Sequence, residues 1–168
     1  ATDAIYLSLK CLDVKKNDEV LTVSHTAAGT VIAISNTGAK PKFVDINLEN
    51  FNMDLNSLEK KISKKTKAII IVHLYGQSVN MDKLNNISKK YKIPVIEDCS
   101  QAAGASFKNK KLGSFGKLSC FSFFPTKNLS AYGDGGMICT TNASFAKKLR
   151  YLREYGWNNS RNTTLLGI

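Results

Sequence analysis

Ala68-Ile69-Ile70-Ile71-Val72 decides the fold. Five apolar residues in a row, rich in β-branched side chains, have the length of a strand and no polar alternation. A strand that hides both faces belongs in a sheet covered by helices on both sides, as in parallel α/β proteins. The run is the longest apolar one in the chain and falls far short of the roughly 20 residues that a membrane span takes.

Helix and strand signals alternate on either side of it. Upstream, helical spacing runs from about Ala4 to Leu12, from Ala27 to Asn36 and from Leu55 to Ile62, with strands at Val20–Val23 and Lys42–Val44. Downstream, Met81, Leu84, Ile87, Ser88 and Tyr91 mark one helix face, and Ile93-Pro94-Val95-Ile96 is a strand ending on Glu97-Asp98. Strands at 119–123 and 136–140 and a helix from about Ser144 to Tyr155 follow, and the stretch from Lys108 to Gly116 reads as loop. This alternation predicts an α/β domain with a mixed, mainly parallel sheet flanked by helices. Ligands of such sheets sit beyond the carboxyl ends of the strands, which nominates His73, Asp98, Ser122 and Lys127.

Composition narrows the classes. The 24 Lys and Arg exceed the 13 Asp and Glu, for a net charge of +11, but the lysines lie in scattered pairs that suit helix surfaces. No nucleic-acid-binding signature accompanies the charge, so neither nucleic acid nor membrane is an expected partner. Cys11, Cys99, Cys120 and Cys139 form no C-x-x-C pair and read as free thiols of a reducing cytoplasm. With only two histidines, no metal site is expected.

Two segments carry chemistry. In Ser122-Phe123-Phe124-Pro125-Thr126-Lys127-Asn128 a lysine follows an aromatic strand end and precedes Tyr132-Gly133-Asp134-Gly135-Gly136, a setting expected to be a buried turn that desolvates the amine. The alternative is a surface lysine after a strand. In Val95-Ile96-Glu97-Asp98-Cys99-Ser100-Gln101-Ala102 the Asp98 carboxylate closes an apolar strand, where it could hold the ring nitrogen of a pyridine cofactor protonated. The alternative is a helix cap.

Taken with Ala1-Thr2-Asp3-Ala4, Gly38-Ala39-Lys40-Pro41-Lys42-Phe43-Val44-Asp45-Ile46 and Val72-His73-Leu74-Tyr75-Gly76-Gln77, these motifs resemble the DegT/DnrJ/EryC1/StrS aminotransferases over essentially the whole chain. The resemblance implies the large domain of the fold-type I pyridoxal 5'-phosphate (PLP) transferases. It implies that residues 1–168 form that PLP-binding domain without a further N-terminal segment and a C-terminal small domain that family members carry. The implied reaction moves an amino group, from glutamate, to a keto-deoxysugar on a nucleoside diphosphate. Leu152-Arg153-Glu154-Tyr155-Gly156-Trp157 is similar to the subset that aminates position 3 of dTDP-sugars; position 4 and a non-catalytic regulator are the alternatives. The implied assembly is a homodimer.

Roles follow from the same resemblance. Lys127 matches the lysine that bonds the cofactor and shuttles the proton, and Asp98 the partner of the pyridine nitrogen. Gln101 matches the amide near the ring hydroxyl, and Ser122 a hydroxyl on the cofactor phosphate. Thr2, with the backbone of Ala1 and Asp3, matches a phosphate-binding helix start. Family members commonly stack an aromatic side chain on the ring where this chain has Ala27, which leaves His25 as the candidate; a strand-end histidine bonded to backbone is its alternative.

Overall fold

The computed structural model describes all 168 residues. In chain order the elements are α1 (Thr2–Cys11), β1 (Glu19–Val23), α2 (Ala28–Asn36), β2 (Lys40–Val44), α3 (Leu55–Lys61), β3 (Thr66–Val72), α4 (Met81–Tyr91), β4 (Val95–Asp98), β5 (Ser106–Phe107), β6 (Lys110–Lys111), β7 (Leu118–Ser122), β8 (Gly136–Cys139) and α5 (Ala143–Arg153). The main sheet has the order β2-β1-β3-β4-β7-β8. All its neighbours are parallel except β7 and β8, which are antiparallel. The α/β, mainly parallel expectation holds.

Period-two geometry explains why β3 is apolar throughout. Ile69 and Ile71 pack with Leu55, Leu58, Met81 and Leu84 from α3 and α4. Ala68 and Ile70 face the other way, into Ile5, Leu9, Ile34 and Leu149 from α1, α2 and α5. Each fully buried isoleucine contributes about 1.5–3 kcal/mol, so both layers are needed and neither face of β3 can turn polar.

The stretch expected to be loop opens with the turn and second strand of the small β5–β6 hairpin, paired Ser106↔Lys111 and Phe107↔Lys110. Its two-residue turn is Lys108-Asn109, with φ of 45° and 58°. Tight hairpin turns need positive φ at both positions, and glycine normally signals them. Here neither residue is glycine, so the signal is missing from the sequence.

Candidate active site

The strand alternation sorts the chemistry by face. In β4, Ile96 packs in the α1/α2/α5 layer and Val95 in the α3/α4 layer. Asp98 therefore turns toward α1 and α2, and Glu97 toward α3 and α4. In β7, Leu118 and Cys120 lie in the α1/α2/α5 layer, which places Ser122 on the Asp98 side. Beyond these strand ends a cavity of about 1120 Å³ opens; Thr2, Asp98, Gln101, Ser122 and Lys127 are among its lining residues.

Asp98 is 4% exposed. Its Oδ1 accepts from Ser100 N–H (3.0 Å) and Ser100 Oγ (2.6 Å), and its Oδ2 from Thr30 Oγ1 (3.1 Å). Turns, not a helix, follow it, so the helix-cap alternative does not apply. A carboxylate offers roughly four acceptor positions. Three are filled, and the one left, on Oδ2, is available to a donor in the cavity.

The helix starts show a second division. Asp54, Asn80 and Asn142 cap α3, α4 and α5 with side-chain oxygens. α1 and α2 begin after Ala1 and Ala27 with no side-chain cap. Both uncapped ends border the cavity. The first bond of α1 runs from Ile5 N–H to Ala1 O (2.9 Å), so the N–H groups of Thr2, Asp3 and Ala4 have no partner within the helix. Such groups, with the helix dipole, form an anion site.

Gly29 lets α2 approach this end of α1: a Cβ there would lie 2.5 Å from Thr2 Oγ1. In Gly29→Ala, Thr2 must rotate its hydroxyl away. Alanine raises helix propensity by about 1 kcal/mol, so the expected result is unchanged or higher thermal stability. Phosphate-cofactor affinity should fall about tenfold, the worth of one hydrogen bond to a charged group, and an absorbance titration measures it. Unchanged affinity would separate Thr2 from the anion site.

Lys127 is half-buried, whereas Phe124, Pro125, Thr126 and Asn128 around it are exposed. The expected buried turn is thus an exposed one with its lysine directed to the cavity wall. Of the aromatic residues that suggested burial, Phe124 and Tyr132 are exposed. Lys127 also borders a smaller hollow of about 360 Å³ with Tyr75, Gln101 and Asn128. Gln101 Oε1 accepts from Tyr75 N–H (2.9 Å). That bond holds Tyr75 at φ 57°, an uncommon backbone region for a bulky residue.

His25 does not join this group. It is exposed and outside the cavity lining, where Ala27 stands instead. Its Nε2 lies 3.4 Å from Tyr75 Oη, and its ring packs at 6.1 Å from Phe51 and 6.2 Å from Tyr75 between centroids.

His73 goes to the opposite side of the sheet. It is fully buried, with Nε2 3.0 Å from Glu97 Oε2. Glu97, also fully buried, accepts N–H bonds from Gly113 (2.8 Å), Phe115 (2.7 Å) and Gly116 (2.6 Å). Burial pushes the Glu97 carboxyl up, but the His73 bond and the N–H groups of Gly116 and Gly113 outweigh it, and the result lies below the usual glutamate range. Donor atoms of His73, Glu97 and Cys99 lie within 4.8 Å of one another. Both Glu97 oxygens are already occupied, and burial, with the nearby Glu97 and Asp98 charges, holds the Cys99 thiol protonated, so the trio reads as a structural clamp on residues 113–116.

Stability supplied by Glu97 is therefore present above the ordinary glutamate range and is lost as pH falls through its lowered value. Glu97→Gln places an amide N–H₂ against donors. It should cost about 3 kcal/mol in denaturant unfolding and remove this part of the acid dependence. A change under about 1 kcal/mol would rule out the clamp.

The DegT/DnrJ/EryC1/StrS aminotransferase family pattern matches residues 1–167. A pleiotropic regulatory protein of Geobacillus stearothermophilus is 46% identical over 155 residues, 92% of this chain and 42% of that protein. A dTDP-3-amino-3,4,6-trideoxy-alpha-D-glucose transaminase of Micromonospora megalomicea is 45% identical over 155 residues, 92% of this chain and 41% of that protein. The crystal structure of S. venezuelae DesV in complex with a ketimine intermediate superposes with a TM-score of 0.95 at 36% identity, covering 99% of this chain and 45% of that one. The chain thus spans less than half the length of these relatives. With the match running through nearly every residue and the shared fold beneath it, the chain belongs to the DegT/DnrJ/EryC1/StrS aminotransferase family.

Proposed function

We propose that this protein is a PLP-dependent aminotransferase that moves an amino group, with glutamate as donor, to a keto-deoxysugar on a nucleoside diphosphate, in the first place a dTDP-3-keto-6-deoxyhexose. The observation that carries it is one cavity lined by a lysine, a buried carboxylate with an acceptor position open, and two uncapped helix starts. These groups would suit PLP: the amine would hold its aldehyde carbon, the carboxylate its ring nitrogen, and the free N–H groups its phosphate. When bound, it supplies a carrier for the amino group and an electron sink for the carbanion.

This chain's residues do the rest. Lys127 Nζ holds the cofactor and moves the proton at the substrate carbon. Asp98 Oδ2 keeps the ring nitrogen protonated. Gln101 borders the ring and pins Tyr75 at the rim. Ser122 Oγ, Thr2 and the backbone of Ala1 and Asp3 take the phosphate. Ala27, in the cavity lining, would offer the ring a small apolar contact, and the part read for His25 is confined to the rim, through its contact with Tyr75. Phe124, Leu129 and Tyr132 stand exposed around the lysine turn, and a second copy of the chain in a homodimer would cover them and exclude water. Cytoplasmic residence suits the free thiols and the phosphorylated substrate.

The test supplies glutamate with dTDP-3-keto- and dTDP-4-keto-sugars to the holoprotein and follows the amino sugar by mass spectrometry. Amination of the 3-keto sugar is the expected result. Amination of the 4-keto sugar alone would overturn the position and leave the transaminase. The regulatory reading rests on the name of the Geobacillus relative; bound cofactor with no turnover of any keto-sugar would favour it.

A further inference from the structure

Two hydroxyls tie α2 to Asp98. Thr30 is 2% exposed and donates through Oγ1 to Asp98 Oδ2 at 3.1 Å. Thr26 Oγ1 lies 3.0 Å from Thr30 Oγ1. The proton directions follow from valence. An ionised carboxylate only accepts, and a threonine hydroxyl has one hydrogen. Thr30 gives that hydrogen to Asp98, so Thr26 is the donor between the two threonines. The relay runs one way, from Thr26 at the cavity wall to Thr30 to Asp98, and hydrogen bonds aligned in one sense polarise each other.

A helical threonine ordinarily turns its hydroxyl back to a carbonyl of the preceding turn. Thr30 reaches across to β4 instead. Packing alone would accept valine, which has the same branched shape and no hydroxyl. Thr30 also bonds the same oxygen that keeps the open acceptor position, while Ser100 holds the other.

We infer that Thr30, backed by Thr26, is a positioning residue for the reaction: it aims the free Oδ2 lone pair of Asp98 at the cofactor ring nitrogen and favours the ionised carboxylate. This inference rests on the function proposed above. The titratable neighbours are Cys99, Cys120 on β7, and Asp3, Lys127, Asp134, Cys139, Arg150 and Arg153 on the cavity wall. Burial pushes the Cys120 thiol up to about 12 and also raises Cys99, so neither changes charge in the range where a cofactor-bound protein is handled.

The experiment compares Thr30→Val, Thr30→Ser and Asp98→Asn in the holoprotein, reading visible absorbance against pH and separating kcat from KM. A carboxylate with one donor fewer leaves less positive charge on the ring. The bond between Lys127 and the cofactor then keeps its proton to higher pH. Thr30→Val should move the absorbance midpoint up by about half a pH unit and lower kcat about tenfold with KM unchanged. Thr30→Ser should stay near the parent in both. If Asp98→Asn moves the midpoint and Thr30→Val does not, the relay is overturned and the proposed function stands. If neither variant alters spectrum or turnover, the proposed function itself fails. Should Thr30→Val not fold, Thr26→Val removes only the outer donor and must shift the midpoint the same way by a smaller amount; no shift overturns the relay.

Discussion

Lys127→Ala should reduce transamination by about 10⁴-fold or more and leave the protein folded. The turn that carries the lysine has exposed neighbours on both sides and contributes little to either packing layer, so the side chain can be removed without opening a hole in the core. Lys127 is the only lysine that lines the cavity, so on the proposed function the covalent hold on the cofactor and the proton carrier would be lost together. The parent holoprotein should be yellow, and borohydride reduction followed by peptide mapping should place the cofactor on Lys127. Labelling at another lysine, or a variant within about tenfold of the parent, would remove the central assignment.

Asp98→Asn tests charge with shape held constant. Its oxygen can still accept from Ser100, and its amide can donate to Thr30, whose hydroxyl then turns toward Thr26. The rearranged bonds stay satisfied, so unfolding stability should change by no more than about 1 kcal/mol. Turnover should fall by about 10²–10³, the effect of deleting one preorganised electrostatic partner, with cofactor still bound and its absorbance altered. Near-normal turnover would reduce Asp98 to a residue that orders the turn at Ser100.

The two variants probe residues that were legible in the sequence. That Asp98 and Lys127 reach one cavity was legible from the strand-end rule, with the motif around Lys127 adding to it. The layered sheet was legible in Ala68–Val72, whose unbroken apolarity demands two covers. His73 was nominated by the strand-end rule, which says where a residue ends up along the strand but not on which side. Counting in twos from Ile69 and Ile71 would have sent it to the α3/α4 face, and counting from Val95 would have sent Glu97 after it. The burial expected for the lysine turn failed because Phe124 and Tyr132 look apolar wherever they point, and sequence does not reveal which surface receives them. Thr30 left no signal, since its hydroxyl finds Asp98 across 68 positions of chain. The missing caps of α1 and α2 were visible as Ala1 and Ala27, but they acquire meaning only beside the capped starts of the other three helices.

Glu97 and Asp98 are chain neighbours with unlike duties, one anchoring residues 113–116 from below the sheet and the other facing the cavity. Alternation alone keeps them apart, so the loss or gain of a single codon in β4 ahead of Glu97 would turn each acid to the opposite face. A gain would put the longer glutamate at the cavity, and a loss would put the shorter aspartate under the N–H donors of residues 113–116; either event leaves the other duty unfilled, damaging chemistry and folding in one step. Point substitutions can explore either acid separately, but insertions and deletions cannot, and across descendants of this gene the length of the segment from Val95 to Asp98 should be invariant even where its apolar residues drift.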